Sequence, residues 1–172
     1  MNSGLLFCGK SKGRAVSMVI DVVYNKAQII ERCLQRIYEE YEGNPANLNN
    51  FTKQDSIILN IQRACEASID LAMHIVAELK LGLPQNSRDA FALLHQGGVI
   101  GEEIAQKMQA MVGFRNIAVH DYQAVNLAIV QAVIEKHLDD LREYVKLVVA
   151  FVKKSEDWTR LGLRTTPLNR GE

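Results

Sequence analysis

Apolar residues recur at helical spacing along most of this chain, and that period decides its fold class. Val23, Ala27, Ile30, Leu34, Ile37 and Tyr41 follow at steps of four, three, four, three and four, with Glu31, Gln35, Glu39 and Glu42 on the other side. A repeat near 3.6 residues gathers the first set into one stripe and turns the second toward water. The spacing predicts an amphipathic helix of about six turns from near Met18, ended by Gly43-Asn44-Pro45. Thr52, with Asp55 three residues on, resembles a capping start for a second helix running to about Leu81. Ile57, Ile58, Ile61, Cys65, Ser68, Ile69, Ala72, Ile75, Val76 and Leu79 leave that helix little room for a polar face, so it reads as the centre of a bundle.

Further helices follow the same signals. Gly82 and Pro84 close the second helix, and Ser87 caps a short one with Phe91 and Leu94 as its apolar contacts. Gly101-Glu102-Glu103 opens the next, its acids suited to a helix N-terminus, with Ile104, Met108, Met111 and Val112 as the buried stripe. Asn126 caps a last long helix on which Val130, Ile134, His137, Leu141, Val145, Val148 and Val152 share a face. The expected fold is all-α: four main helices plus a short helix in an up-down bundle. Residues 1–17 lack periodicity and are expected to form a flexible N-terminal extension. The bundle domain spans 18–154, and 155–172 form a C-terminal tail, partly disordered, with Trp158 tucked onto the bundle.

The 172 residues suffice to bury one core, and 48% hydrophobic with 23% charged residues is ordinary for a globular domain. The net charge of +0 is unevenly distributed. Lys10, Lys12 and Arg14 make the first 17 residues basic, the stretch from Lys153 is also net basic, and the bundle between them is acidic. Such a bundle is a poor general attractor for nucleic acid, so RNA or DNA would need a local basic site or help from the basic ends. Cys8, Cys33 and Cys65 are odd in number and widely spaced, which suits reduced thiols in a cytoplasmic protein better than a disulfide frame. No stretch approaches the roughly 18 apolar residues of a membrane span.

Within this helical background one stretch concentrates chemistry: Phe114-Arg115-Asn116-Ile117-Ala118-Val119-His120-Asp121-Tyr122. Arginine presents a rigid fork of donors to phosphate or carboxylate, and histidine exchanges protons near neutrality. Five steps along a helix place Arg115 and His120 about 140° apart, so they converge only if the helix loosens or a second subunit completes the site. The other familiar constellations are missing. There is no Gly-rich phosphate loop, and no Cys or His pair has zinc spacing, so neither a metal nor a cofactor is called for. A Cys nucleophile lacks an evident electropositive setting. The Arg115/His120 pair suits metal-free RNA cleavage, with a base taking the 2′-OH proton and the arginine stabilising the phosphorane-like charge. Asn116 would hold a phosphate oxygen or orient His120. A polar stripe of Arg63, Glu66, Asp70, His74 and Glu78 on the second helix is either a solvated face or a place from which Asp70 or His74 backs the site. The plainer alternative is also open: Arg115 paired with Glu102 or Asp121, and His120 simply ending a helix.

Arg115-Asn116-x-x-x-His120-x-Tyr122 resembles the Arg-x4-His-x-Tyr signature of HepT-like proteins in the HEPN superfamily. The resemblance runs from about Met18 to Lys153 and takes in Ile69-Asp70-Leu71-Ala72-Met73-His74-Ile75, Gly98-Val99-Ile100 and Met111-Val112-Gly113-Phe114. It implies an all-α homodimer whose composite cleft joins the Arg115 and His120 pairs of both chains. It further implies a ribonuclease toxin acting on RNA without metal, and a cognate nucleotidyltransferase antitoxin of the MntA type. That partner would transfer AMP to Tyr122 and silence the toxin. Bulk and negative charge two residues from His120 would occupy the place of an RNA phosphate. The rival from another class is a non-catalytic helical subunit that presents substrate to a nucleotidyltransferase.

Overall fold

The paired stripes of the first two helices zip into a long antiparallel hairpin, and the remaining helices close around it. A computed structural model of the chain describes residues 10–120 and 125–160, with side chains over 20–119 and 125–155. Its elements are α1 (Lys10–Tyr41), a 3-10 turn (Pro45–Asn49), α2 (Phe51–Glu78), α3 (Ser87–Gln96), α4 (Glu102–His120), α5 (Leu127–Lys136) and α6 (Leu138–Arg160). No strand occurs among the described residues, so the all-α expectation holds. None of the described helices is long and apolar enough to cross a membrane.

The predicted stripe of α1 faces inward: Val23, Ile30, Leu34, Ile37 and Tyr41 are buried, and Ala27 is half-buried. The helix starts earlier than its periodicity suggested. Lys10–Ser17, expected to be loose, belong to α1, because lysine, alanine and arginine favour helix even without an apolar stripe. At the other end Glu42 and Gly43 adopt positive φ, 52° and 65°, and turn the chain back. The ion pair of Glu42 with Lys53 and that of Lys26 with Asp70, at 2.7 Å, bridge the two antiparallel helices α1 and α2. The cap of α2 is Asn50, whose Oδ1 accepts from Lys53 N at 3.1 Å, rather than Thr52. Similarly, Asn86 rather than Ser87 caps α3, accepting from Arg88 N and Asp89 N. Asn126 caps α5 as its sequence position indicated.

Two helices stand where one long final helix was expected. Between α5 and α6 His137 leaves helical geometry, with φ −123° and ψ −6°. Its Nδ1 lies 2.9 Å from Asp140 Oδ2, while Asp140 Oδ1 meets Lys107 of α4 at 3.0 Å. His137 is therefore exposed at a corner instead of lining the core, and the α6 stripe restarts at Leu138. Leu138, Leu141, Tyr144, Val148 and Val152 face inward, so Tyr144 takes the fully buried place assigned to Val145. Residues 161–172 and the side chain of Trp158 lie outside the described residues.

Tyr144 locks three helices together. Its ring meets Phe91 of α3 edge-on, with centroids 5.5 Å apart, and its hydroxyl donates to the Ser68 carbonyl of α2 at 3.2 Å. Burial pushes its phenol far above the ordinary tyrosine range, so it stays a neutral donor. Tyr144→Phe removes only that bond and is expected to lower unfolding free energy by about 1 kcal/mol. Tyr144→Ala should lower it by about 3–5 kcal/mol, as for other large aromatics. Urea denaturation of the three proteins measures both, and a Phe variant as costly as the Ala variant would contradict this division.

Candidate active site on α4

Whether Arg115 and His120 converge depends first on whether α4 stays helical between them. It does: α4 is continuous α-helix from Glu102 to His120. Glu102 and Glu103 occupy its first turn, and Ile104, Met108, Met111 and Val112 bury its inner face as expected. Positions 115 and 120 therefore remain about 140° apart around the axis. The helix does not loosen, so the first of the two routes to convergence is not taken. Position 120 falls between Asn116 and Ile117 on the outer face of α4, and both of these are exposed. Nearby, Val119 is also exposed. The His120 side chain and all of Asp121 and Tyr122 lie outside the described residues.

Arg115 faces α2. Its Nη2 donates to Glu66 Oε1 at 3.1 Å, and its Nη1 donates to Asn116 Oδ1 at 3.2 Å. Its Nε is buried, with no partner among the described residues. The anchoring carboxylate among the described residues comes from α2 and is not Glu102, one of the two partners weighed from the sequence; the other, Asp121, lies outside the described residues. Glu102 instead accepts from Gln106 at 3.1 Å. With the two side chains 28% and 47% exposed, the Arg115–Glu66 pair is worth little as stability, about 0–1 kcal/mol. What it does is hold a long, flexible side chain in one place.

The polar stripe of α2 divides its duties. Glu66 meets Arg115, while Asp70, one turn further on, pairs with Lys26 of α1. The structure thus brings Arg115 and Asn116 together with Glu66 and places Asp70 at the α1–α2 seam. His74, a further turn along, is half-buried, and its Nε2 has no partner among the described residues. Glu66 could have been suspected from its three- and four-residue spacing with Arg63 and Asp70. What the spacing could not give was which neighbouring helix supplies the cation.

Cys65 sits just beneath this pair. Burial pushes its thiol up to about 12, although the nearby Arg115 charge pulls the other way. A thiol buried and held in its protonated form is poorly suited to act as a nucleophile. Burial also raises Cys33.

The family model described as ribonuclease HepT-like matches residues 25–148. The chain belongs to the HepT-like ribonuclease family. It is 46% identical over 130 residues to the mRNA nuclease HepT of Shewanella oneidensis, covering 76% of this chain and 98% of that protein. It is 24% identical over 138 residues to the tRNA nuclease HepT of Aphanizomenon flos-aquae, covering 79% of this chain and 93% of that protein. Among solved structures it matches the tri-AMPylated Shewanella oneidensis HEPN toxin in complex with MNT antitoxin. That match has a TM-score of 0.72 at 46% identity, covering 76% of this chain and 98% of that one. In this HepT-like chain the match begins inside α1 and stops inside α6, so α2, α3, α4 and α5 fall wholly within it.

The burial of both described thiols in the HepT-like domain is open to test. In a Cys8→Ser variant, Ellman's reagent should react with neither Cys33 nor Cys65 in the folded protein and with both after unfolding. Fast native-state labelling of Cys65 would show that the floor beneath Arg115 is open.

Proposed function

We propose that this HepT-like chain is a toxin endoribonuclease that cleaves RNA without metal. Under this reading it is silenced when a cognate nucleotidyltransferase antitoxin transfers AMP to Tyr122. The observation that carries the reading is Arg115, held by Glu66 and Asn116 on an unbroken helix that ends at His120, in a HepT-like chain. The similarity to an mRNA nuclease and to an AMPylated toxin–antitoxin complex supports it.

The chemistry follows from the two side chains. His120 takes the proton from a ribose 2′-OH, whose oxygen attacks the adjacent phosphorus. Arg115 stabilises the added negative charge on the phosphoryl oxygens as the bond to the 5′-oxygen breaks. That oxygen leaves with a proton taken from water, which regains one from the protonated His120, and a cyclic phosphate and a 5′-hydroxyl remain. Because positions 115 and 120 diverge around α4, the active form is a homodimer in which the arginine of one copy works beside the histidine of the other. Exposed Ile117 and Val119 lie within the motif, between Arg115 and His120, and are suited to cover by a second copy. Asn116 steadies the Arg115 fork, and Asp70 acts more remotely through the α1–α2 seam. The setting is the cytoplasm, where both RNA and the antitoxin's nucleotide substrate are present.

His120→Ala and Arg115→Ala should each reduce RNA cleavage by at least about 100-fold while leaving the melting temperature nearly unchanged. Arg115→Lys should restore little, since a point charge cannot replace the fork. Expression of the chain alone should arrest growth with RNA breakdown; harmless accumulation would instead favour the accessory-subunit reading. On co-expression with the antitoxin, mass spectrometry should locate one or more adenylyl groups on Tyr122. An unmodified Tyr122 beside an active antitoxin would sink the switch.

A further inference from the structure

A second arginine lies against α4 that the motif and the chemistry above do not use. Arg88, in the first turn of α3, is exposed and reaches across to Gly113. A Cβ on Gly113 would stand 2.7 Å from Arg88 Nη2, so the guanidinium fills space that any other residue at 113 would claim. Gln109 Nε2 donates to the Arg88 carbonyl at 3.2 Å and ties the start of α3 to the same face of α4. Glycine is a poor residue for a helix interior, and here its position is the one over which an arginine lies.

The location matters because of what shares that face. Gln109, Gly113, Asn116 and residue 120 recur at steps of four, three and four, within about 60° around the axis. Arg88 therefore stands over the column that ends at His120, about 10 Å along the helix from it. Arg115 lies on the other side, against α2.

Arg36, Arg115 and Arg142 are each held by carboxylates, whereas the Arg88 guanidinium, like those of Arg32 and Arg63, forms no ion pair among the described residues; what sets Arg88 apart is its place over Gly113. The adjacent Asp89 is turned the other way and accepts from Gln85 N at 3.0 Å. An exposed arginine is often merely solvated. This one is laid across a glycine, in line with the catalytic column, with no carboxylate partner among the described residues.

We propose that Arg88 binds an RNA phosphate flanking the one that is cleaved. The inference rests on the reading of Arg115 and His120 as an RNA-cleaving pair. Guanidinium is suited to phosphate, and the acidic bundle around it makes each cation on the RNA path count. Together with Arg115 of the second copy it would hold the strand at two points, one cation at the scissile phosphate and one beyond it.

The test uses the full chain carrying His120→Ala, so that RNA persists, and a fluorescent single-stranded RNA of mixed sequence as the probe. Adding Arg88→Gln should weaken binding about 10-fold. It should also make the log Kd against log salt plot shallower by about 0.7, the loss of one phosphate contact. Gly113→Ala, which favours the helix but displaces the guanidinium, should weaken binding when Arg88 is present and add nothing to Arg88→Gln. In the cleavage-competent chain Arg88→Gln should raise KM more than it lowers kcat. Unchanged affinity and salt slope would overturn the proposal. So would a particle of half the mass in Arg88→Gln, since the arginine would then serve the contact between copies. Wild-type cleavage by Arg115→Ala and His120→Ala would refute the catalytic reading alone, because the binding measurements on Arg88 stand apart from it.

Discussion

Everything in this fold leans on α2, a helix buried on most of its circumference. It touches α1, α3, α4 and α6, and two of its inward polar side chains are satisfied locally. Ser68 Oγ donates to the Ala64 carbonyl at 2.8 Å, and Asn60 Nδ2 donates to the Ser56 carbonyl at 2.7 Å. Turning side-chain donors back onto their own helix avoids the cost of leaving them unbonded in the core. Two residues apart on this helix, Glu66 receives Arg115 and the Ser68 carbonyl receives Tyr144. The Arg115 side chain is thus tied to the central, most buried helix, through a pair that is itself weak. A weak pair at the rim can hold an arginine in position without competing strongly with a phosphate for it.

Helix geometry imposes the second constraint. An α-helix that ran on unbroken from Arg115 to His120 could not aim both at one phosphate, and α4 does run on unbroken. The proposed homodimer follows from that angle, and it has a chemical consequence. A lone chain would present incomplete chemistry, so cleavage would depend on assembly. The local charge points the same way. The bundle is acidic overall, so RNA is drawn in by a few placed cations and not by a general field. Adding nucleotide charge near such a site would shift its balance sharply, which is the physical sense of a modified tyrosine as an off-switch.

Much of the fold could be read from spacing. The α1 stripe from Val23 to Tyr41, the nearly all-apolar α2 and the acid-led α4 are strongly periodic, and each formed where its period indicated. Errors came at the ends and joints. Asn50 and Asn86 cap helices that Thr52 and Ser87 were expected to cap, because several adjacent residues each carry an oxygen able to accept from the first backbone N–H groups. The break at His137 was invisible because Val130, Ile134, Leu141 and Val148 keep a helical period across it. Only the Asp140 carboxylate, bridging His137 and Lys107, shows why the chain turns there. That turn moved Tyr144 into the core.

By itself the sequence determined the all-α class, the family and the short list of reactive side chains. Those rest on local periods and on a motif whose members are near neighbours in the chain. The tertiary structure decided which of them meet. Glu66 reaches Arg115 across 49 positions of chain, and Asp70 turns to Lys26 across 44. Arg88 comes to lie over Gly113 because α3 packs on α4. Such pairings depend on how helices are rotated against one another, which is set by the packing of the whole core and leaves no period in the sequence.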